Sequence, residues 1–333
     1  MDWLRTVITT VWSWIRLIDD SYTYRIVTGA WEQAVNLLPW FLFGLALTAA
    51  LTSFMPASML TRGLRRTKHW GLLIAGILGL ISPFATYAVI PLAVILLQQG
   101  VALAPVVTFM IASPLMNPSI FVLTMGGMGL SMALARSMAA LLISLAGGIW
   151  AGAVYGSKHP AVCLKEQPTH SQTLRFRHYQ KSLDGLRSGR YHRLLEGKEG
   201  AKTWLFNFRM QLKFAGRYFL IAIVISALVQ HLVPYEWVTY LLGSNSKFSV
   251  LIAAIIGIPF YTCGGAAIPM MQVLTEMGMS QGAVLAFFIT GPATNISTIY
   301  TVGALFKRRL LWIYYTTMLL GATIAGYVYE LIT

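Results

Sequence analysis

Two stretches decide how this chain folds: IPLAVILLQQGVALAPVVTFMIASPLMN, residues 90–117, and IPMMQVLTEMGMSQGAVLAFFITGPATN, residues 268–295. Shifted by 178 they align without a gap. Ile90-Pro91 falls on Ile268-Pro269, Gly100 on Gly278, Phe109 on Phe287, Pro114 on Pro292 and Asn117 on Asn295. The register reaches back to residues 40 and 218, with 21 identities in 78 pairs. A composition this apolar gives roughly one match in ten by chance. The matched Pro, Gly and Asn carry the argument, because composition does not align them. The chain is an internal duplication.

Its chemistry excludes most classes. Of 333 residues 56% are apolar and 11% charged, against about 25% charged in a soluble domain. That excludes a soluble globule, a disordered chain and a disulfide scaffold. Long continuous apolar runs exclude a barrel, whose strands alternate. Two cysteines, Cys163 and Cys263, supply neither a disulfide framework nor a zinc set. Asp2 stands where a cleavable signal needs basic residues, so none is expected. What remains is an all-α polytopic membrane protein.

The net charge of +14 is clustered: ten Lys/Arg in 157–202, four in 57–69, and Lys307, Arg308 and Arg309 together. Basic loops between apolar spans read as cytoplasmic. No basic face is interleaved with aromatics, so nucleic acid is not expected as a partner. The counterpart of 57–69, residues 235–247, holds only Lys247 against Glu236, and the counterpart of 307–309 is Gly-Leu-Ser. This asymmetry favours inverted repeats. Each then has one full span (33–56 in the first), a re-entrant hairpin (70–99), a broken span (102–128) and a last span. The alternative, with 70–99 crossing the bilayer, gives eight spans and parallel repeats. The expected organisation is an interfacial amphipathic helix in 1–28, a first transmembrane repeat in 29–156, a basic cytoplasmic loop in 157–202 and a second repeat in 203–333.

Half-helix ends at mid-membrane leave backbone groups that bind solute, and irregular backbone survives there only in protein or beside a cavity. Four helix breaks, at 82–91, 113–118, 258–269 and 291–295, nominate a substrate site of Pro83, Thr86, Tyr87, Pro91, Pro114, Asn117, Cys263, Gly264, Gly265, Pro269, Pro292, Thr294 and Asn295. Each reading has a plainer rival. Prolines kink membrane helices, Asn117 and Asn295 can tie helices together, and Cys263 can be a small buried apolar residue. Glu276 is a coupling candidate, since carboxylates at depth carry protons, though it sits near a span end. No Walker loop, catalytic triad, metal set or cofactor motif is present, so no enzyme, metal or cofactor is expected. The expected partners are the bilayer and a small solute, and a homodimer is compatible with this architecture.

The segments PFATYAVIPLAVILLQQGVALAPVVTFMIASPLMNP and GIPFYTCGGAAIPMMQVLTEMGMSQGAVLAFFITGPATN resemble the two signature segments of the YraQ/ArsP-type permease family. The resemblance implies an inner-membrane permease, whose arsenical-permease members expel trivalent organoarsenicals. Many members carry a Cys-x-Cys pair before the first VIP. Ala85 and Tyr87 stand there in this chain, while Cys263 matches the usual second-segment Cys. The expected function is a secondary permease moving a small solute through a site between two repeats; efflux is the direction that the family's arsenical members imply. A passive channel, or a membrane subunit anchoring a partner through the basic loop, are the alternatives.

Overall fold

The computed structural model describes residues 22–54, 70–82, 86–98, 100–156, 163–164, 198–232, 234–244, 246, 248–258, 267–294, 298, 302–303 and 305–333. The expected interfacial helix falls largely outside them, as does most of the basic loop.

The described secondary structure is nearly all helical. The first half holds α1 (Tyr22–Phe54), α2 (Gly71–Ile81), α3 (Thr86–Gln98), α4 (Leu103–Leu115), α5 (Pro118–Met128) and α6 (Leu130–Tyr155). The second holds α7 (Lys198–Leu232), α8 (Tyr235–Leu242), α9 (Ser249–Gly257), α10 (Ala267–Glu276), α11 (Gln281–Ala293) and α12 (Arg308–Ile332). Among the described residues, five stretches are long and apolar enough to cross a membrane: Ile26–Leu51, Leu103–Met128, Leu130–Tyr155, Trp204–Gln230 and Arg308–Ile332. This is a polytopic membrane protein. The first helix starts at least eleven residues before the span expected at 33, because the polar and aromatic turns of 22–32 continue the helix.

The 178-residue register reappears as geometry. Adding 178 to the bounds of α4 gives those of α11, and Leu130 falls on Arg308, the first residue of α12. Helices α3 and α10 stop in the same way. Gly100 donates to Leu97 O at 3.1 Å and Val101 to Leu96 O at 3.0 Å; Gly278 donates to Thr275 O at 3.0 Å and Met279 to Leu274 O at 2.8 Å. This paired bonding is the Schellman stop, which needs a left-handed residue, here Gly100 at φ 80° and Gly278 at φ 90°. Small residues set the packing in both halves. A Cβ on Gly148 would meet Thr108 Oγ1 and lie 2.8 Å from Ala104 O; one on Gly326 would lie 2.7 Å from Gly282 O. Residues 148 and 326 are register mates, as are 104 and 282. Close backbone approach through Gly is how helices pack where lipid supplies no hydrophobic drive.

Contacts give the directions of the helices. Gly76 faces Thr108 and Gly79 faces Ala112, so α2 and α4 run parallel. The chain between them therefore returns on itself. At 1.5 Å per residue, the 11 residues of α2 span about 16 Å, half of a hydrocarbon core of about 30 Å. Between the halves, Phe41 stacks on Phe219, while Gly29 approaches Gln230 and Trp204 Nε1 donates to Ala46 O. Helices α1 and α7 thus run antiparallel. So do α6 and α12, since Gly321 faces Ile143 and Gly147 faces Thr317. Phe41 and Phe219 are register mates, and so are Ile143 and Gly321. Each of these helices packs on its own counterpart, crossing it at the shared position.

Candidate functional site

The sequence Ser113-Pro114-Leu115-Met116-Asn117-Pro118 contains both a stop and a start. Pro114 has no N–H, so it leaves Met110 O without its helical donor. Pro118 pushes the residue before it out of the helical region, and Asn117 lies at φ −150°, ψ 168°. Its Oδ1 then accepts from Ile120 N at 2.9 Å. Asn117 is the N-cap of α5, with Pro118 in the first turn, a favoured pairing for a helix start. Pro114 and Met116 are buried and Asn117 is half-buried.

The matching end of α11 is built differently. Pro292 leaves Phe288 O without a helical donor. The Nη2 of Arg136, from α6 of the other half, donates to that oxygen at 3.4 Å. Its guanidinium lies 4.5 Å over the Phe288 ring centroid, and Nη1 donates to Thr124 Oγ1 of α5 at 3.1 Å. The Thr124 hydroxyl itself donates to Ile120 O at 2.7 Å. Arg136 is 1% exposed. Beyond Pro292, Thr294 is buried and its hydroxyl donates to Thr290 O at 2.6 Å.

Helix α10 is tied to both halves by polar side chains. Pro269 O accepts from Gln33 Nε2 of α1 at 2.9 Å and from Ser226 Oγ of α7 at 2.8 Å. Gln272 Nε2 donates to Gly127 O of α5 at 2.7 Å. Met270 and Met271 are buried on this helix, and Glu276 at its end is exposed.

The described structure thus places Pro114, Asn117, Pro269, Pro292 and Thr294 on helices packed against one another across the two halves. Thr86, Tyr87 and Pro91 lie on α3, with side chains outside the described set. Pro83, Cys263, Gly264, Gly265 and Asn295 lie outside the described residues. Among the described residues, no group of three or more His, Cys, Asp or Glu side chains is placed to hold a metal.

Arg136, Gln33 and Gln272 were not nominated by the sequence. Arg136 had a signal, a single cation within an apolar run. Gln33 had none, because its partner Pro269 is 236 residues away.

Comparison with known families settles the kinship. The profile of the ArsP-type family, described as "Predicted permease", matches residues 26–331. The chain belongs to this family. Among curated relatives, UPF0718 protein YcgR of Bacillus subtilis is 23% identical over 284 residues, 85% of this chain and 89% of that protein. UPF0718 protein MJ0584 of Methanocaldococcus jannaschii is 26% identical over 130 residues, 39% of this chain and 36% of that protein. UPF0718 protein YraQ of Escherichia coli is 26% identical over 99 residues, 28% of this chain and 29% of that protein. No solved structure matches the chain significantly. The family's description, a predicted permease, fits the several membrane-spanning helices of this chain.

Proposed function

We propose that this permease is a secondary transporter of the cytoplasmic membrane that moves a small solute through a site between two inverted repeats. The carrying observation is that α1 and α7 run antiparallel and cross at register mates, as do α6 and α12. A helix antiparallel to its own counterpart is related to it by an axis lying across the helices, hence in the membrane plane. Axes of that kind relate the repeats of many transporters, whose sites lie where broken helices meet. On this reading α2 with α3, and α9 with α10, are re-entrant hairpins. The solute meets Asn117, Thr294 and Asn295 at the half-helix ends, with Pro114, Pro292, Pro91, Pro269 and the 83–87 and 263–265 segments lining the path.

The site offers amide, hydroxyl and backbone groups and the single thiol of Cys263, and the family's paired thiols are replaced by Ala85 and Tyr87. A soft metalloid is normally held by several thiolates, so the favoured solute is not a thiophilic metal. The test is a thermal-shift panel on purified protein with arsenite, methylarsenite, phosphate, sulfate and small organic acids, since a ligand that binds only the folded state raises the midpoint. The compound that raises it is then offered to proteoliposomes. Uptake driven by an ion gradient supports the permease. Uptake that never exceeds equilibration supports a channel. Absence of flux, with a protein partner held through residues 157–202, supports the anchoring subunit.

A further inference from the structure

The grip on α10 is made of residues that the duplication repeats. Pro269 O accepts from Gln33 Nε2 of α1 at 2.9 Å and from Ser226 Oγ of α7 at 2.8 Å. The register mates of these three are Pro91, Gln211 and Thr48. A proline, an amide and a hydroxyl therefore recur at the same three positions, although only 21 of the 78 pairs between 40–117 and 218–295 are identical.

The α1–α7 pair gives both sets the same placement. The helices run antiparallel and cross at Phe41 and Phe219. Gln33 lies eight residues before Phe41 and Ser226 seven after Phe219; Gln211 lies eight before Phe219 and Thr48 seven after Phe41. Gln33 is thus level with Ser226 on one side of the crossing and Gln211 with Thr48 on the other, each roughly 12 Å from it at 1.5 Å per residue. Each set joins an amide from one half to a hydroxyl from the other. The first grips α10 at Pro269, and the proline that answers to the second is Pro91 of α3.

Only the first amide is engaged. Gln33 is bonded, whereas the half-buried side chain of Gln211 makes no hydrogen bond among the described residues. Helix α10 has one further tie, from Gln272 Nε2 to Gly127 O at 2.7 Å, and the register mate of Gln272 is Val94, which cannot make it. The halves carry the same grip and are held unequally. In inverted repeats, exchanging the arrangements of the two halves turns a path that faces one side into a path that faces the other, by rocking one repeat against its mate.

We propose that Gln33 and Gln211 are positioning residues for solute movement: the Gln33 bond to Pro269 O holds the arrangement described here, and a Gln211 bond to Pro91 O replaces it in the opposite-facing one. The extra bond of Gln272 biases the pair toward the first. The inference rests on the reading that solute passes between inverted repeats.

The test takes Q33M and Q211M, singly and together, in a C163S background that leaves Cys263 as the one thiol. Met keeps the length of Gln and removes the donor; Q33L and Q211L replace any Met variant that is not monodisperse. An impermeant maleimide is applied to intact cells and to inverted vesicles, and the ratio of the two Cys263 rates reads the side to which the path opens. Losing one hydrogen bond within a membrane moves such an equilibrium about threefold. The expected result is a shift of that size in one direction for Q33M and in the opposite direction for Q211M, with the double variant close to wild type. A lowered melting point with an unmoved ratio, shifts in the same direction, or a shift in one single variant only overturns the inference and leaves the path standing. Cys263 that stays unreactive from both sides in every variant, while urea-unfolded protein labels, removes the path and the inference with it.

Discussion

Phe41 and Phe219 stack face to face, with ring centroids 4.2 Å apart and planes 9° from parallel, and they are the same position of the two halves. In the proposed inverted arrangement, a residue that touches its own counterpart lies near the axis that relates the repeats. Ile143 and Gly321 form a second such pair, on α6 and α12. Two self-contacts define one line through the molecule, and the broken helices α4 and α11, which also pack on each other, are gathered around it.

The self-contact at Phe41 and Phe219 has a measurable coupling. Replacing either by Leu removes the ring pair, and replacing both adds little further loss. A double-mutant cycle on detergent melts gives a coupling of about 0.5–1.5 kcal/mol, the range for aromatic pairs. Strict additivity would mean that α1 and α7 do not meet here.

Paired glycines make a graded prediction. Nothing lies within 4 Å of a Cβ on Gly100, so Gly100→Ala meets only the strain of φ 80°, about 1–2 kcal/mol. Gly326→Ala puts a methyl 2.7 Å from Gly282 O and 2.5 Å from Val250 Cγ1, which forces the helices apart at about 1–3 kcal/mol. Gly100→Asn recovers part of the Gly100→Ala loss, because Asn tolerates the left-handed region. Melting in one detergent reads the order. Equal losses at Gly100 for Asn and Ala would mean that strain is not the cause.

These glycines show what the sequence makes legible. Gly100 and Gly278 ended their helices as a Gly at that position should, and Pro114 with Asn117-Pro118 gave the stop and start around residue 116. Such signals are local, carried by φ and by missing amides. The Gln33 and Ser226 bonds to Pro269 O were illegible for the opposite reason: three residues from distant parts of the chain meet on one oxygen. Arg136 hid behind the repeat itself, because its register mate Tyr314 makes the position look like ordinary core. The reach of α1 back to Tyr22 was missed because hydropathy marks the lipid-facing part of a helix and not its full length.

Cys163 gives a pH-dependent readout outside the membrane spans. It is fully buried, and its carbonyl accepts from Lys307 N at 2.8 Å. Burial pushes its thiol up to about 11 from an ordinary 9.0, with a backbone bond and Lys307 pulling the other way. A raised value means that folding favours the protonated thiol. That contribution is complete below about pH 9 and is lost as pH rises toward 11. In a C263S background, alkylation by iodoacetamide should be slow at pH 8 and climb only above pH 10, while urea-unfolded protein reacts near pH 9. Rapid labelling of folded protein at pH 8 would contradict the burial.

Orientation is tested by accessibility. S58C and S244C are placed singly in a C163S, C263S background, and intact cells are treated with an impermeant maleimide. Inverted repeats put the basic linker 57–69 inside and its neutral counterpart outside, so 244 labels and 58 does not. Labelling of both sites from outside, or protection of both, would falsify the inversion.

Asn117 separates a solute role from a structural one. Its Oδ1 caps α5 through Ile120 N at 2.9 Å, so Asn117→Ala removes a cap and costs about 0.5–2 kcal/mol. A loss of flux in that variant alone would be ambiguous, because a frayed half-helix also distorts the site. Asn117→Asp and Asn117→Ser keep an oxygen on the capping position and delete the amide donor. If the carboxamide meets solute, both variants melt close to wild type while flux of the panel compound falls at least tenfold. Flux that recovers with the cap in both would assign Asn117 to helix capping only, and the solute contacts would pass to the Thr294 and Asn295 end of the break.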